Sequence, residues 1–447
     1  MPTFLAPFRV RSFRFQWPAD LVTSWAFEME TLILGWYIIV ETGSVVMLSV
    51  FGTMLYTGTL IAPMLGVASD RVGHRNLLAA MRAAYGVIAG TLMLAAFAGA
   101  LSPALVCTLA AAMGIFRPSD QGLRGALIAE TMPLDLLTGA MGLSRGTSDS
   151  ARVAGALTGA GLFTVFGIAP AYVMITGFYA LGSLLTLGTA PRRAGAANSS
   201  SPSNSLSSAR PRESGEPALV KNWVPACADT NGESAVSTRS SPWHDLREGI
   251  RTIWDTPQLS AIVWLAFLFN LTAFSITNGL LPYVAREVYR VDQTGLGWLV
   301  ASVAFGALLG SIALSRPHIP LALPRLMIVA AVIWHILLLA FAQMTSLPAG
   351  MACLLFVGFA SSLTMVAHTV ILLRSTQPRF RGRVLGVRML AIYSLPLGLI
   401  TAGALIERIG FRATISLYAV AGIVFAGLIA LRWRAWQWRV QAGDDSG

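Results

Sequence analysis

The stretch GVASDRVGHRN, Gly66 to Asn76, is a short charged interruption between two apolar runs. The run SVVMLSVFGTMLYTGTLIAPML precedes it, and LLAAMRAAYGVIAGTLMLAAFAGAL follows it. Each run has about 20 residues, which is long enough for a helix to cross a hydrocarbon layer of about 30 Å. The stretch is therefore predicted to be the polar turn between two membrane-spanning helices.

The composition of the whole chain extends this interpretation. Of its 447 residues, 55% are hydrophobic and 12% are charged, whereas a soluble domain carries about 25% charged residues. The chain is therefore expected to be an integral membrane protein that crosses the bilayer many times. Its formal net charge of +11 is attributed to arginines beside the spans, which set orientation, and no nucleic-acid partner is expected.

Apolar runs and the breakers between them predict an all-α fold of twelve transmembrane helices. The predicted spans are 19–40, 46–69, 77–99, 103–127, 138–166, 168–190, 257–285, 295–315, 321–344, 347–374, 385–407 and 411–433. Alternate connections carry arginines, whereas ETGS and GIAP on the opposite side carry neither lysine nor arginine. Because these residues collect in cytoplasmic connections, both termini are expected in the cytoplasm, with the protein in a bacterial inner membrane.

The character of the chain changes between the sixth and seventh predicted spans. Residues 191–243 are rich in Ser, Pro, Asn and Arg, and such a segment buries too little apolar surface to offset its chain entropy. It is predicted to be a disordered cytoplasmic linker. A first six-helix bundle then occupies 1–190 and a second 244–447, which begins with an amphipathic surface helix at 244–256.

The opening stretch resembles a specific motif, the signature loop G-x-x-x-D-R-x-G-R-K of the major facilitator superfamily. The matching positions are Gly66, Asp70, Arg71, Gly73, His74 and Arg75. His74 departs from the pattern, since the superfamily has arginine there. The resemblance implies two six-helix bundles and a gating loop that holds them together on the cytoplasmic side, with the acid docking near Arg381, Gly382 and Arg383.

Further segments resemble one branch of the superfamily, the enterobactin-exporter-like and macrolide-efflux-like proteins. These segments are FRFQWPADLV, LPYVAREV with TGLGWLV, and RGRVLGV. The branch implies proton-coupled export, by antiport, of a small amphipathic or lipophilic compound such as a drug or siderophore. Uptake or symport of a small solute by the same fold is the alternative, and a membrane enzyme or a non-transporting scaffold ranks below both.

Ionisable residues inside the first half are the main candidates for coupling or substrate binding. A charge at mid-membrane costs about 2.5–3.5 kcal/mol on insertion scales, so it usually faces a cavity or a partner. Glu28 and Glu30 are two residues apart, so at most one of them is expected to face a central cavity squarely. Arg117, Asp120 and Arg124 share one helix face. The other candidates for coupling or substrate binding are Gln121, Asp149, Arg152, Asn270 and Asn278.

The fourth and fifth predicted spans each partly resemble a motif of the superfamily. Arg117 with Gln121 and Gly122 resembles the span-four motif that the superfamily associates with proton coupling, although the spacing is one residue longer. In span five, Asp149 and Arg152 are at i, i+3 and can pair on one helix face, and a structural ion-pair network explains them at least as well as coupling does. The small residues 155–160 partly resemble the antiporter motif of span five but lack its proline. Small residues spaced in this way also pack helices closely.

Other function classes find little support in the residues. Lys221 is the only lysine and no glycine-rich loop precedes it, so an ATP-binding P-loop is excluded. Three separated cysteines and five scattered histidines, among them His335 and His368, predict no metal site, cofactor or catalytic centre. The energy source is expected to be a proton gradient, and the chain is expected to function as a monomer.

Overall fold

The computed structural model describes residues 3–60, 65, 69, 71–190, 251, 254, 256–314, 323–375, 391 and 393–433. The predicted linker at 191–243 and most of the predicted surface helix at 244–256 lie outside the described residues. The bundle boundaries proposed from the sequence therefore stay predictions.

The described residues form twelve long helices, in agreement with the predicted number of spans. The first half contains α1 (Arg11–Thr42), α2 (Val45–Met54), α3 (His74–Phe97), α4 (Pro103–Thr131), α5 (Leu134–Phe166) and α6 (Ile168–Leu187). The second half contains α7 (Pro257–Leu268, continued to Val288), α8 (Gln293–Leu314), α9 (Leu323–Gln343), α10 (Leu347–Ser375), α11 (Ser394–Ile409) and α12 (Phe411–Arg432). The continuation of α7 includes three π-helical segments, Phe269–Phe274, Ile276–Leu280 and Val284–Val288.

Seven of the described helices are long and apolar enough to cross a membrane by length and composition. They are α3, α6, α7, α8, α9, α10 and α12. Helices α1, α4 and α5 carry ionisable residues along their length, which lowers their mean hydropathy. Those three helices also build most of the polar interior described below.

Tight turns separate several of the helices on the predicted outer side. Helix α1 ends at Thr42 and is capped by Gly43, whose φ of +62° suits glycine and whose N–H bonds to the Ile39 carbonyl. The next residue, Ser44, caps α2 by accepting the Met47 N–H at 3.2 Å. These local signals explain why the chain reverses between the first two spans without a long loop.

The halves pack most extensively through two pairs of helices, α2 with α11 and α5 with α8, and α1 and α2 also contact α7. In the first pair, the Ser44 hydroxyl lies 3.4 Å from the Glu407 carboxylate. In the second, the hydroxyls of Thr164 and Thr294 lie 3.2 Å apart. These contacts lie at the helix ends that carry the turns at 43–44, 167 and 410. The described halves are thus closed at the end that the charge pattern assigns to the outside.

Candidate functional site

A central cavity lies between the two halves and is lined by both. Its accessible volume is about 110 Å³. Its lining residues are Glu28, Thr31, Leu32, Tyr56, Arg117, Arg152, Thr277, Asn278, Leu281, Pro282, Leu296, Val300 and Val303. The first half supplies the charges, and the second supplies a mostly apolar wall.

The charged wall of the cavity consists of one acid and two arginines. The Arg152 Nε lies 3.4 Å from Glu28 Oε1. Arg117 donates from Nη1 to the Thr31 hydroxyl at 3.1 Å, and its guanidinium lies 5.1 Å from the centre of the Phe27 ring. Among the described residues, no carboxylate lies within ion-pair distance of Arg117. Its charge is therefore open to a ligand in the cavity.

A second cavity continues from the first toward the predicted cytoplasmic side. Its accessible volume is about 260 Å³, and it shares Glu28, Tyr56, Arg117 and Arg152 with the central cavity. Its other lining residues are Ser24, Phe27, Leu55, Pro118, Asp120, Gln121, Gly122, Arg124 and Ser148. Those on α1, α4 and α5 lie nearer the cytoplasmic ends of these helices than the shared residues do. The two cavities are therefore neighbours that share the charged residues at their junction.

A buried ion network lies against the second cavity and joins α1, α3 and α4. Arg82 pairs with Asp20, and Arg124 pairs with Asp120. Arg124 Nε also lies 3.7 Å from Asp20, and Arg82 Nε lies 4.0 Å from Asp120. All four side chains are at most 7% exposed. Two acids and two arginines balance each other, so Asp120 and Arg124 have partners inside the first half.

Sequence reasoning missed Asp20 and Arg82. A signal was present for Arg82, since it is an arginine inside the third predicted span, where an unpaired charge is costly. Asp20 lies at the start of the first span, where a solvated position was equally compatible with the sequence. Their pairing depends on how α1 and α3 pack, which no local pattern reveals.

Glu30 is separated from both cavities, unlike Glu28. Its residue is 3% exposed, and it faces α6. The Tyr179 hydroxyl donates to Glu30 Oε2 at 2.7 Å, and the Tyr172 hydroxyl donates to Oε1 at 3.4 Å. The expectation that at most one of the two glutamates faces the cavity agrees with this arrangement.

The remaining candidates take different positions. Gln121 and Asn278 line cavities, whereas Asn270 is buried and donates to the Ala266 carbonyl at 2.8 Å. Asp149 and Arg152, which the i, i+3 spacing allows to pair, form ion pairs with other residues, although the charge of Asp149 still acts on Arg152. Asp149 lies 3.7 Å from Arg145, because a side chain four residues away on the same helix face is as close as one three residues away, and Arg152 turns to Glu28 instead.

The predicted gating loop is described only in part. Arg71 is exposed, and Gly73 has a φ of +88°, a conformation that favours glycine. His74 Nδ1 lies 3.3 Å from the Glu130 carboxylate, and Arg75 donates to the Thr189 carbonyl at 3.1 Å. The turn thus contacts the ends of α4 and α6. Gly66, Asp70, Arg381, Gly382 and Arg383 lie outside the described residues.

The two intramembrane histidines have structural partners. His335 Nε2 lies 2.9 Å from the Thr272 hydroxyl, and its Nδ1 lies 2.8 Å from the Ala331 carbonyl. His368 Nε2 lies 3.0 Å from the Ile262 carbonyl. No group of three metal-ligating side chains occurs in the part of the chain that the structure describes.

Comparison with known protein families identifies the superfamily of this chain. The sequence profile of the Major Facilitator Superfamily matches residues 19–320 and 263–442. The chain belongs to the major facilitator superfamily. Membership in this superfamily of transporters, together with the twelve helices, establishes a multi-pass membrane transporter.

Curated relatives place this superfamily member near efflux proteins. The multidrug efflux pump Tap of Mycolicibacterium fortuitum is 27% identical over 168 residues, which are 37% of this chain and 41% of that protein. Tap of Mycobacterium tuberculosis (strain ATCC 25618 / H37Rv) is 26% identical over 190 residues, 42% of this chain and 44% of that protein. The matched region thus spans less than half the length of these relatives. An efflux-like branch of the superfamily is supported.

Solved structures of superfamily members share the fold over nearly the whole chain. A bacterial homolog of the human lysosomal transporter Spinster, inward-facing and unoccupied, aligns with a TM-score of 0.66 and 14% identity, covering 94% of this chain and 96% of that one. The POT family transporter PepTSo aligns with a TM-score of 0.69 and 11% identity, covering 96% and 98%. At such identities the likeness shows the fold alone.

Proposed function

We propose that this transporter exports a small amphipathic or lipophilic compound, such as a drug or siderophore, in exchange for protons. The single observation that carries the proposal is the central cavity, where Glu28, Arg117 and Arg152 face an apolar wall from the other half. Such a site suits a compound with one polar end and one apolar body. The similarity to multidrug efflux pumps supports the direction of transport.

We further propose alternating access, because the α2–α11 and α5–α8 contacts close the halves at the predicted outer end. These contacts are called the seam. Substrate enters from the predicted cytoplasmic side through the second cavity and reaches the acid and arginines near the middle of α1, α4 and α5. Opening of the α2–α11 and α5–α8 contacts then releases it on the other side. In the closed-inside state, the gating loop with Asp70 and Arg71 holds the halves together near Arg381 and Arg383. We place the protein in the bacterial inner membrane with both termini in the cytoplasm, acting as a monomer.

Uptake by proton symport is the second candidate. The small residues of α5 that partly resemble an antiporter motif are explained by packing, since a Cβ on Gly155 lies 2.7 Å from the Glu28 Cβ. A Cβ on Gly159 lies 3.0 Å from the Met29 Cα. Close packing of α5 on α1 requires glycine at both positions whichever way the substrate moves.

Flux into proteoliposomes with an acid lumen separates the two candidates. Protons leave the lumen, so antiport accumulates substrate on the acid side and symport depletes it, regardless of how the protein is oriented. A panel of siderophores and hydrophobic drugs should give accumulation of at least one compound with the wild-type chain. Glu28→Gln should abolish it, and Glu41→Gln is the matched control, because Glu41 is exposed near the other end of α1 and lines neither cavity. Depletion from the acid side would exclude export, and no gradient-dependent flux of any compound would refute proton coupling.

A further inference from the structure

We propose that the central cavity selects an amphipathic anion, whose carboxylate binds the guanidinium of Arg117 while its apolar body packs against α7 and α8. This inference rests on the proposed export function and narrows the substrate to one charge class. It differs from selection of a lipophilic cation, for which the charge open to the substrate would have to be an acid.

The Arg117 side chain is held in place on one side and open to the cavity on the other. Its Nη1 atom donates to the Thr31 hydroxyl at 3.1 Å, and the guanidinium lies 5.1 Å from the centre of the Phe27 ring. A guanidinium carries five N–H donors in a planar fork, and the bond to Thr31 uses one of them. Because the side chain lines both cavities, a ligand there can reach the donors that remain.

The acids nearest to Arg117 already have other partners. Glu28 Oε1 lies 3.4 Å from Arg152 Nε. Glu30 is 3% exposed, and its two oxygens accept hydrogen bonds from tyrosine hydroxyls of α6. Glu30 attracts Arg117 through space, but no ion pair joins these two described residues, and Glu30 lines neither cavity. A carboxylate that enters the cavity therefore meets a guanidinium whose fork is still open.

The wall that faces these charges comes from the second half and is uncharged. Its described residues are Thr277, Asn278, Leu281, Pro282, Leu296, Val300 and Val303. Most of these side chains are apolar, so they suit the hydrocarbon or aromatic body of a ligand. The two polar ones carry no charge. The described wall of the second half therefore supplies no acid that would neutralise Arg117 or attract a cation.

The charges that line the cavities favour an anion over a cation. Glu28 and Arg152 balance each other, and Arg117 adds one positive charge. Asp120 and Arg124, the two further charges along the second cavity, pair with each other. A cation would have to take Glu28 from Arg152 and lie close to Arg117, whereas a carboxylate needs to do neither. A planar carboxylate can also accept two parallel N–H bonds from one guanidinium, which adds geometric specificity.

Equilibrium binding of three probes that share one apolar body tests the charge preference. The probes are naphthylacetate, naphthylacetamide and naphthylethylamine, which are an anion, a neutral amide and a cation at neutral pH. Equilibrium dialysis against the purified full chain in lipid nanodiscs, with empty nanodiscs as the blank, measures each affinity. The anion should bind about tenfold or more tightly than the amide, because hydrogen bonds between charged groups are the stronger ones, and the cation should bind most weakly. No binding of the anion, or equal or tighter binding of either other probe, would overturn the proposal.

Substitutions at Arg117 test which group carries the preference. Arg117→Gln should bind the anion and the amide equally, whereas Arg117→Lys, which keeps the charge and loses the planar fork, should retain part of the preference. Arg145→Gln is the matched control and should retain all of it, because Arg145 is exposed on α5 and lines neither cavity. An undiminished preference in Arg117→Gln would overturn the assignment. If that variant fails to fold, Arg117→Lys decides, and a preference equal to that of the wild type would exclude the guanidinium fork.

Transport of the same probes separates the anion site from the proposed export. Tight binding of naphthylacetate without gradient-driven flux of any compound would refute export and leave the anion site in place. Gradient-driven accumulation of naphthylethylamine but not of naphthylacetate, in the proteoliposomes with an acid lumen, would overturn the anion site and leave export in place.

Discussion

Replacing Gly297 with alanine should weaken the seam between α5 and α8. A Cβ built on Gly297 lies 2.6 Å from the Ala160 Cβ and 3.1 Å from the Ala156 carbonyl oxygen. Carbon atoms in contact prefer about 3.5–4.0 Å, so the two helices must separate by about 1 Å. Overpacking of this kind costs about 1–3 kcal/mol. That free energy corresponds to a change of about 5- to 150-fold in the equilibrium between closed and open seams.

Cross-linking across the same seam measures this change. Cysteines at positions 164 and 294, in a background whose three native cysteines are replaced by alanine, should be oxidised readily because the hydroxyls of Thr164 and Thr294 lie 3.2 Å apart. Adding Gly297→Ala should slow the oxidation by about fivefold or more, the lower end of the expected shift.

Gly161→Ala on α5 is the matched control. Its Cβ meets nothing within 4 Å, and it makes the same chemical change within a helix. Cross-linking in that variant should proceed at the parent rate. Equal rates for Gly297→Ala and Gly161→Ala would refute the reasoning that close packing at this glycine holds the seam closed.

Three further substitutions test the interior and the gating loop. Asp20→Asn should destabilise the protein by about 3–5 kcal/mol in denaturant or thermal unfolding, because it leaves buried arginine charge unbalanced. As a control, Asp149→Asn should cost about 1 kcal/mol or less, because Asp149 pairs with the exposed Arg145. Gly422→Ala should lower the midpoint of thermal unfolding, because a Cβ there overlaps the buried imidazole of His335. Gly427→Ala is the control and should leave the midpoint unchanged, because a Cβ on Gly427 has open space. Asp70→Asn should reduce flux with normal membrane insertion, and normal flux would exclude the gating role.

The number and order of the helices could be predicted because hydropathy and length constrain membrane spans strongly. The positions of the helix ends could not be predicted from hydropathy. Helix α1 begins at Arg11, not at residue 19, and α4 continues to Thr131, past residue 127. These turns extend beyond the apolar run, where polar residues still continue a helix. Hydropathy reports where the hydrocarbon layer ends and does not report where the backbone hydrogen bonds end.

The site was predictable only as a set of candidates. Glu28, Arg117 and Arg152 were identifiable because a charge inside an apolar span requires a partner or a cavity. Which partner each one takes depends on helix packing. Arg152 therefore pairs with Glu28 on another helix, and not with Asp149, the partner that spacing within α5 allows. The tyrosines around Glu30 had no sequence signal, since tyrosine is also common at membrane interfaces.

Spin-label distances at both ends of the α5–α8 pair test most directly whether the two halves open alternately. Labels at Val165 and Trp298 report on the closed end, and labels at Met141 and Ile312 report on the opposite end; all four side chains are exposed. On a change between alkaline and acid buffer in lipid, one distance should lengthen while the other shortens. Distances that both stay constant, or that lengthen together, would contradict alternating access around the central cavity.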